Sequence, residues 1–349
     1  RGPCTARIRR IQTLAARTLI DDGHRHAISF RTKSFGETMI MKRTLACLTL
    51  LLSTSALASA QDIAFTNTEL RGGGVMMSTG AGGNVGFLTG DDGTLLVDDL
   101  LPGTGPLIEA AIAELGEPGA PRFILNTHWH GDHTATNGHF QAQGTTVAAH
   151  HNIRARIEAS DDAWTQGDGM LPLLTFGHDL TFHMNGQTVE AHHVARAHTD
   201  GDAIVLFREA NVLHAGDVLF NGLFPFVDLE SGGSVEGFIA AMEYALEMTD
   251  AETQIIPGHG PLATRDDLQT SIDMVRSVQG IIRPMVESGM SVEDVLAAEP
   301  LADFHDDWSW GFVCTPRMVT ILYNDAAGID ENWPEGMSCR APAAAVEEG

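Results

Sequence analysis

The segment Asn126-Thr127-His128-Trp129-His130-Gly131-Asp132-His133-Thr134 places four metal-competent side chains within six positions, directly after the apolar run Phe123-Ile124-Leu125. In an extended chain alternate residues point the same way, so His128, His130 and Asp132 can converge at the end of a strand. Gly131 permits a sharp turn that brings His133 beside them. Neutral imidazole nitrogens and a carboxylate are suitable zinc ligands, whereas the same groups crowded together without a cation would repel or stay unsatisfied. A metal-free histidine-rich loop is the plain alternative, and this composition would rarely assemble such spacing by chance.

Three later segments end apolar runs with the same residue types: Ala197-His198-Thr199-Asp200-Gly201-Asp202, His214-Ala215-Gly216-Asp217 and Pro257-Gly258-His259-Gly260. Each alone is a weak signal. Together with 128–133 they supply seven candidate ligands, enough for two metal ions.

With these residues in this order, the chain resembles the metallo-β-lactamase superfamily, and the resemblance runs from about Val75 to His259. It implies an α/β fold, the αββα sandwich, with a C-terminal helical extension. It also implies that His128, His130 and His198 hold one zinc, that Asp132, His133 and His259 hold a second, and that Asp217 bridges the two. Two zinc ions about 3.5–4 Å apart lower the pKa of a bound water towards 7, and the bridging hydroxide would attack a carbonyl carbon. Asp132 is then the catalytic carboxylate that orients the hydroxide or receives its proton. The implied reaction is hydrolysis of an amide, ester, thioester or lactone in a small molecule.

Two departures bear on the substrate. Zinc β-lactamases of the family that otherwise match this pattern carry Cys where Asp217 stands, and a Lys three positions later that anchors the substrate carboxylate; here that position is Phe220. Weak β-lactam hydrolysis is therefore expected, and Asp217 is similar to the thioesterase and lactonase branches. Two other classes stay open: a mononuclear iron persulfide dioxygenase, and a metal-storing module without an open coordination position. Metal content separates them.

Asp202, Thr199 and His193 are expected beside the ligands, with Asp202 orienting one of the histidines. Trp129 either lines the substrate pocket or packs. His139, His150, His151, His178, His183, His192, His193, His214 and His305 read as solvated, or at most as supporting a ligand, with His214 and His193 the least certain because they lie so close to Asp217 and His198.

The elements that must position this chemistry alternate between short apolar runs and amphipathic stretches. Strands are expected at 75–78, 84–89, 94–98, 123–125, 145–149, 180–184, 188–194, 203–207, 212–215 and 254–256, with Asp91-Asp92-Gly93 as a hairpin turn. Helical spacing covers 106–115, 150–159, 234–248 and most of 262–325, and a polar loop spans 160–171. Strand layers flanked by helices indicate an α/β sandwich. Specificity is expected to lie in segments 66–83, 160–175 and 218–233.

Composition limits the partners. The 349 residues carry 21 Lys and Arg against 46 Asp and Glu, a formal charge of −25, which argues against nucleic acid as a partner. Met41-Lys42-Arg43, the apolar stretch 44–57 and Ala58-Ser59-Ala60 read as a signal peptide cleaved before Gln61, with an uncleaved anchor as the alternative. Residues 1–40 read as a mis-assigned upstream extension, 41–60 as the signal, 61–265 as the catalytic domain and 266–349 as C-terminal helices and tail. A periplasmic or secreted protein, not inserted in the membrane after cleavage, is the expectation. Beyond residue 60 the chain has 11 Arg, no Lys and 43 acidic residues. That balance fits a saline habitat or a compositional bias of the lineage. Only Cys314 and Cys339 remain there, as a disulfide or as two distant thiols.

Overall fold

The computed structural model describes residues 65–116 and 119–339, so the expected upstream extension and signal peptide lie outside the described residues. Seven strands form one sheet in chain order: β1 (Thr66–Glu69), β2 (Val75–Ala81), β3 (Gly83–Leu88), β4 (Leu95–Val97), β5 (Phe123–Leu125), β6 (Thr146–His150) and β7 (Leu174–Phe176). The pairs from β1 to β4 are antiparallel and those from β4 to β7 parallel. Parallel neighbours need crossovers. Helix Gly105–Glu114 supplies the first, the short helices Gly131–Thr134 and Asn137–Gln141 the second, and helix His151–Ala159 the third.

The second sheet holds β8 (Asp179–Met184), β9 (Gln187–His193), β10 (Ala203–Phe207), β11 (Val212–Phe220) and β12 (Gln254–His259) in the order β12-β11-β10-β9-β8. Here β8 to β11 form an antiparallel meander, and helix Val235–Glu247 crosses over to set β12 parallel to β11.

Alternation along the strands explains why the two sheets face each other. Leu95 and Val97 of β4, with Val205 and Phe207 of β10, enter one buried cluster between the sheets. Their neighbours point the other way: Leu96 packs on Ile108 and Ile112 of helix Gly105–Glu114, and Ile204 and Leu206 join the opposite helical layer. Strands buried on both faces read as continuous apolar runs, as β10 does. The result is the expected αββα sandwich.

The C-terminal helices Arg265–Glu287, Val292–Ala297 and Thr315–Ala327 share the outer core with helix Val235–Glu247. The first starts sharply because Thr264 accepts the Asp267 N–H while the Asp267 carboxylate accepts the Thr264 N–H. A disulfide joins Cys314 to Cys339 with their Cα atoms 5.4 Å apart, which resolves the cysteine question in favour of pairing.

Three departures from the sequence expectation matter. The exposed strand β1 and the short β7 are edge strands with weak apolar patterns. Strand β11 continues past Ala215 to Phe220, through irregular register against β12. The segment after β5 is not extended throughout: His130 caps the helix Gly131–Thr134, and Asp132 and His133 lie in its only turn.

Candidate metal centre

The candidate ligands lie in, at the end of, or after strands of both sheets, with Asp132 and His133 in the short helix Gly131–Thr134. His128 and His130 follow β5, His198 follows β9, Asp217 lies within β11, and His259 is the last residue of β12. Their ligating atoms form two groups, each within 4.8 Å: His128, His130, His198 and Asp217, and then Asp132, His133 and His259. Asp217 touches both. Its Oδ2 lies 3.6 Å from His198 Nε2, 3.7 Å from His128 Nε2 and 3.4 Å from His259 Nε2, and its Oδ1 lies 3.1 Å from His133 Nε2. Asp132 Oδ2 approaches His259 Nε2 at 3.3 Å and His133 Nε2 at 3.7 Å.

Four of the five imidazoles are aimed by the bond their other nitrogen makes. His198 Nδ1 donates to the Phe226 carbonyl at 2.6 Å, leaving Nε2 for the centre. His130 is held the opposite way round: Nε2 meets Asp228 Oδ2 at 2.8 Å, and Nδ1 faces His198 Nε2 at 2.8 Å. Asp228 is itself fixed by Asn332 and by the Ser231 N–H. His133 Nδ1 bonds Asp98 Oδ2 at 2.8 Å. The same carboxylate accepts the Thr127 N–H and hydroxyl, each at 2.7 Å, and Thr127 Oγ1 sits 3.1 Å from His128 Nδ1. Asp98 thus orients a ligand of each group.

A third set of potential ligands is Asp98 with His128 and His133. The hydrogen bonds already accepted by Asp98 make it a positioning residue instead. Asp98→Ala is expected to weaken metal affinity by roughly 10- to 100-fold with the fold retained, measured by competition with a chromophoric chelator. Unchanged affinity would remove Asp98 from this role.

The buried centre calls for a cation. His128 Nε2, His133 Nε2 and Asp217 Oδ1 are buried without a hydrogen-bond partner, and all three face the same space. Burial raises the cost of ionising Asp132 and Asp217, yet the neighbouring imidazoles outweigh it and hold both carboxyls below the usual range. Burial likewise opposes protonation of His133 and His259, but Asp217 and Asp132 push both up, His259 to about 9. Protons on these rings supply positive charge that bound metal ions would supply instead. His198 goes the other way, down to about 4, through burial and the nearby His130.

Close packing bears on two glycines. A Cβ at Gly258 would lie 1.9 Å from Asp217 Oδ1, so β12 can pass the carboxylate only without a side chain. At Gly131 the constraint is the Trp164 indole, 3.0 Å from the site of a Cβ, rather than the turn expected from sequence.

Other expectations are corrected. Asp202 orients no ligand histidine; it accepts the Thr199 N–H and hydroxyl and fixes the loop after His198, while burial pushes its carboxyl up to about 7. His193 meets the Asp202 carbonyl and stacks on His150 at 3.7 Å, away from the centre. His150 is buried, accepting the Asn152 N–H at the start of helix His151–Ala159. His214 is also buried, accepts the Gly216 N–H, and is held down to about 4 by burial. Neither is solvated. Trp129 packs beside Ile153 and Ile157 and donates to Ser231 Oγ.

A cavity of about 540 Å³ opens onto His130, Asp132, Asp217 and His259. Of the expected specificity segments, 66–83 contributes Gly82, 160–175 Trp164, and 218–233 Phe220 and Phe226. Phe220 stacks on His259 with ring centres 5.1 Å apart. Leu101, Pro102, Trp310 and Phe312, which sequence reasoning missed, complete the wall.

The family description Metallo-beta-lactamase superfamily matches residues 78–264, just over half of the chain. The hydroxyacylglutathione hydrolase of Polaromonas sp. is 30% identical over 140 residues, covering 39% of this chain and 47% of that protein. The chain thus spans about half the length of that relative. The probable metallo-hydrolase YqgX of Bacillus subtilis is 28% identical over 187 residues, 51% of this chain and 85% of that protein. Among solved structures, the metallo-beta-lactamase from Pontibacter korlensis superimposes with a TM-score of 0.53 at 17% identity, over 61% of this chain and 99% of that one, a likeness of fold.

Proposed function

The chain belongs to the metallo-β-lactamase superfamily, and from that premise we propose that it is a metallo-hydrolase, a dinuclear zinc enzyme that hydrolyses a carbonyl substrate, a thioester or ester foremost. The carrying observation is the Asp217 carboxylate, set between His128, His130 and His198 on one side and Asp132, His133 and His259 on the other. Zinc held by these groups would supply a hydroxide nucleophile at neutral pH and polarise the scissile carbonyl.

The chain's own residues do the rest. Asp132 lines the cavity, is held ionised by His133 and His259, and offers Oδ2 to orient the nucleophile or take its proton. Phe220 keeps the His259 ring in place and presents no charge to the substrate, which supports weak β-lactam hydrolysis. The name of the Polaromonas relative favours a thioester over a lactone.

Metal analysis combined with a hydrolysis panel tests this reading. About two zinc ions per chain with turnover of a thioester or aryl ester is expected. One iron with oxygen consumption would replace it by a dioxygenase, and saturated zinc without turnover by a storage protein.

A further inference from the structure

The cavity beside Asp132 and Asp217 is walled by Leu101, Trp164, Phe220, Phe226, Trp310 and Phe312, and no Lys or Arg is among its described lining residues. Of the six large hydrophobic side chains exposed among the described residues, two, Leu101 and Phe312, sit on this wall, 39% and 43% exposed. Apolar surface left in water at the mouth of a site gains by being covered with an apolar ligand. The chain's charge of −25 further disfavours the approach of an anion.

This wall is held before any ligand arrives. Trp310 Nε1 donates to the Phe224 carbonyl at 2.9 Å, and the Phe224 N–H returns a bond to the Trp308 carbonyl at 2.7 Å. Arg317 donates to the Phe312 carbonyl at 2.6 Å and lies over the Trp333 ring at 4.5 Å. The Cys314–Cys339 disulfide closes the loop just after Phe312. A rigid wall spends little ordering entropy on binding.

We propose that the C-terminal extension sets the substrate class: Trp310 and Phe312 select thioesters or esters with an uncharged apolar acyl chain and reject acyl chains that end in a carboxylate. The inference rests on the hydrolase reading. Water adds to the acyl carbon, the C–S or C–O bond breaks, the thiol or alcohol takes one of the water's two protons, and the acyl group leaves as a carboxylate at the metal end with the second proton released to solvent.

The test uses the zinc-loaded protein with acetyl, octanoyl and 7-carboxyheptanoyl thioesters of N-acetylcysteamine. At about fourfold per buried methylene, covering three to four of the six methylenes by which octanoyl exceeds acetyl should raise kcat/KM by roughly 10²-fold. It should exceed its ω-carboxylate counterpart by about 10²-fold as well, since that charge would enter an unpaired apolar wall. In Trp310→Ala and Phe312→Ala the octanoyl-to-acetyl ratio should fall about tenfold. A second readout follows tryptophan fluorescence with two ketones that cannot be hydrolysed, the uncharged 2-octanone and the anionic 7-oxooctanoate, of which 2-octanone alone should bind tighter in wild type than in Trp310→Ala. Thioester turnover without chain-length or charge preference would overturn the inference and leave the hydrolase reading intact. Selective binding of 2-octanone with no turnover of any thioester would do the reverse.

Discussion

Asp217→Asn is expected to bring zinc content down towards one ion per chain and to cut hydrolysis by about 10²-fold or more. Asn keeps the shape of the side chain but removes the charge, and charge is what this position supplies. Asp217 is buried among His128, His133, His198 and His259, and its two oxygens face different partners, Oδ1 towards His133 and Oδ2 towards the others. A carboxylate between two cations offsets their mutual repulsion, which a neutral amide cannot do. Asp217→Cys separates charge from geometry: a thiolate restores the charge on one atom, so two metals should be retained while ester and thioester turnover falls relative to β-lactam turnover. Metal content by plasma emission and rates on a common thioester read both variants. Wild-type zinc and rate in Asp217→Asn would show that this carboxylate holds neither ion.

How far the sequence carries towards this site depends on distance along the chain. The strand β5 and the run 128–133 are contiguous, so apolar clustering and ligand spacing identify both together. Strand β10 is legible for the same reason, being an unbroken apolar run buried on both faces. The residues that aim the ligands are not legible in this way. Asp98 reaches His133 across 35 positions, and Asp228 reaches His130 across 98, each from a loop whose sequence resembles an ordinary acidic turn. The one local hint is Asp98 itself, a buried carboxylate directly after the apolar strand β4, in the left-handed region at φ 65°. Trp310 and Phe312 are harder still, because a helical extension reads as packing until its connecting loop is seen to line the cavity. Histidines mislead in the opposite sense. His150 and His214 have the residue type of a solvated or ligating group, yet both are buried with a backbone N–H bonded to Nδ1.

His128→Ala and His198→Ala should each reduce hydrolysis by about 10³-fold or more, the several kcal/mol that one metal ion contributes to a developing oxyanion. The two substitutions reach this result differently from Asp217→Asn. His128 and His198 belong with His130 in one group of ligating atoms and lie outside the group formed by Asp132, His133 and His259. One zinc should therefore be lost and the other kept, with the remaining ion bound through three side chains that the substitution leaves in place. His198→Ala also leaves the Phe226 carbonyl without its Nδ1 donor beside the aromatic wall, so substrate affinity should fall along with the rate. His128→Ala releases only Thr127 Oγ1, which still donates to Asp98, so KM should change less than kcat. Circular dichroism and zinc analysis on each variant separate loss of a ligand from loss of the fold. Full activity with two zinc ions in either variant would show that the centre is built from other residues.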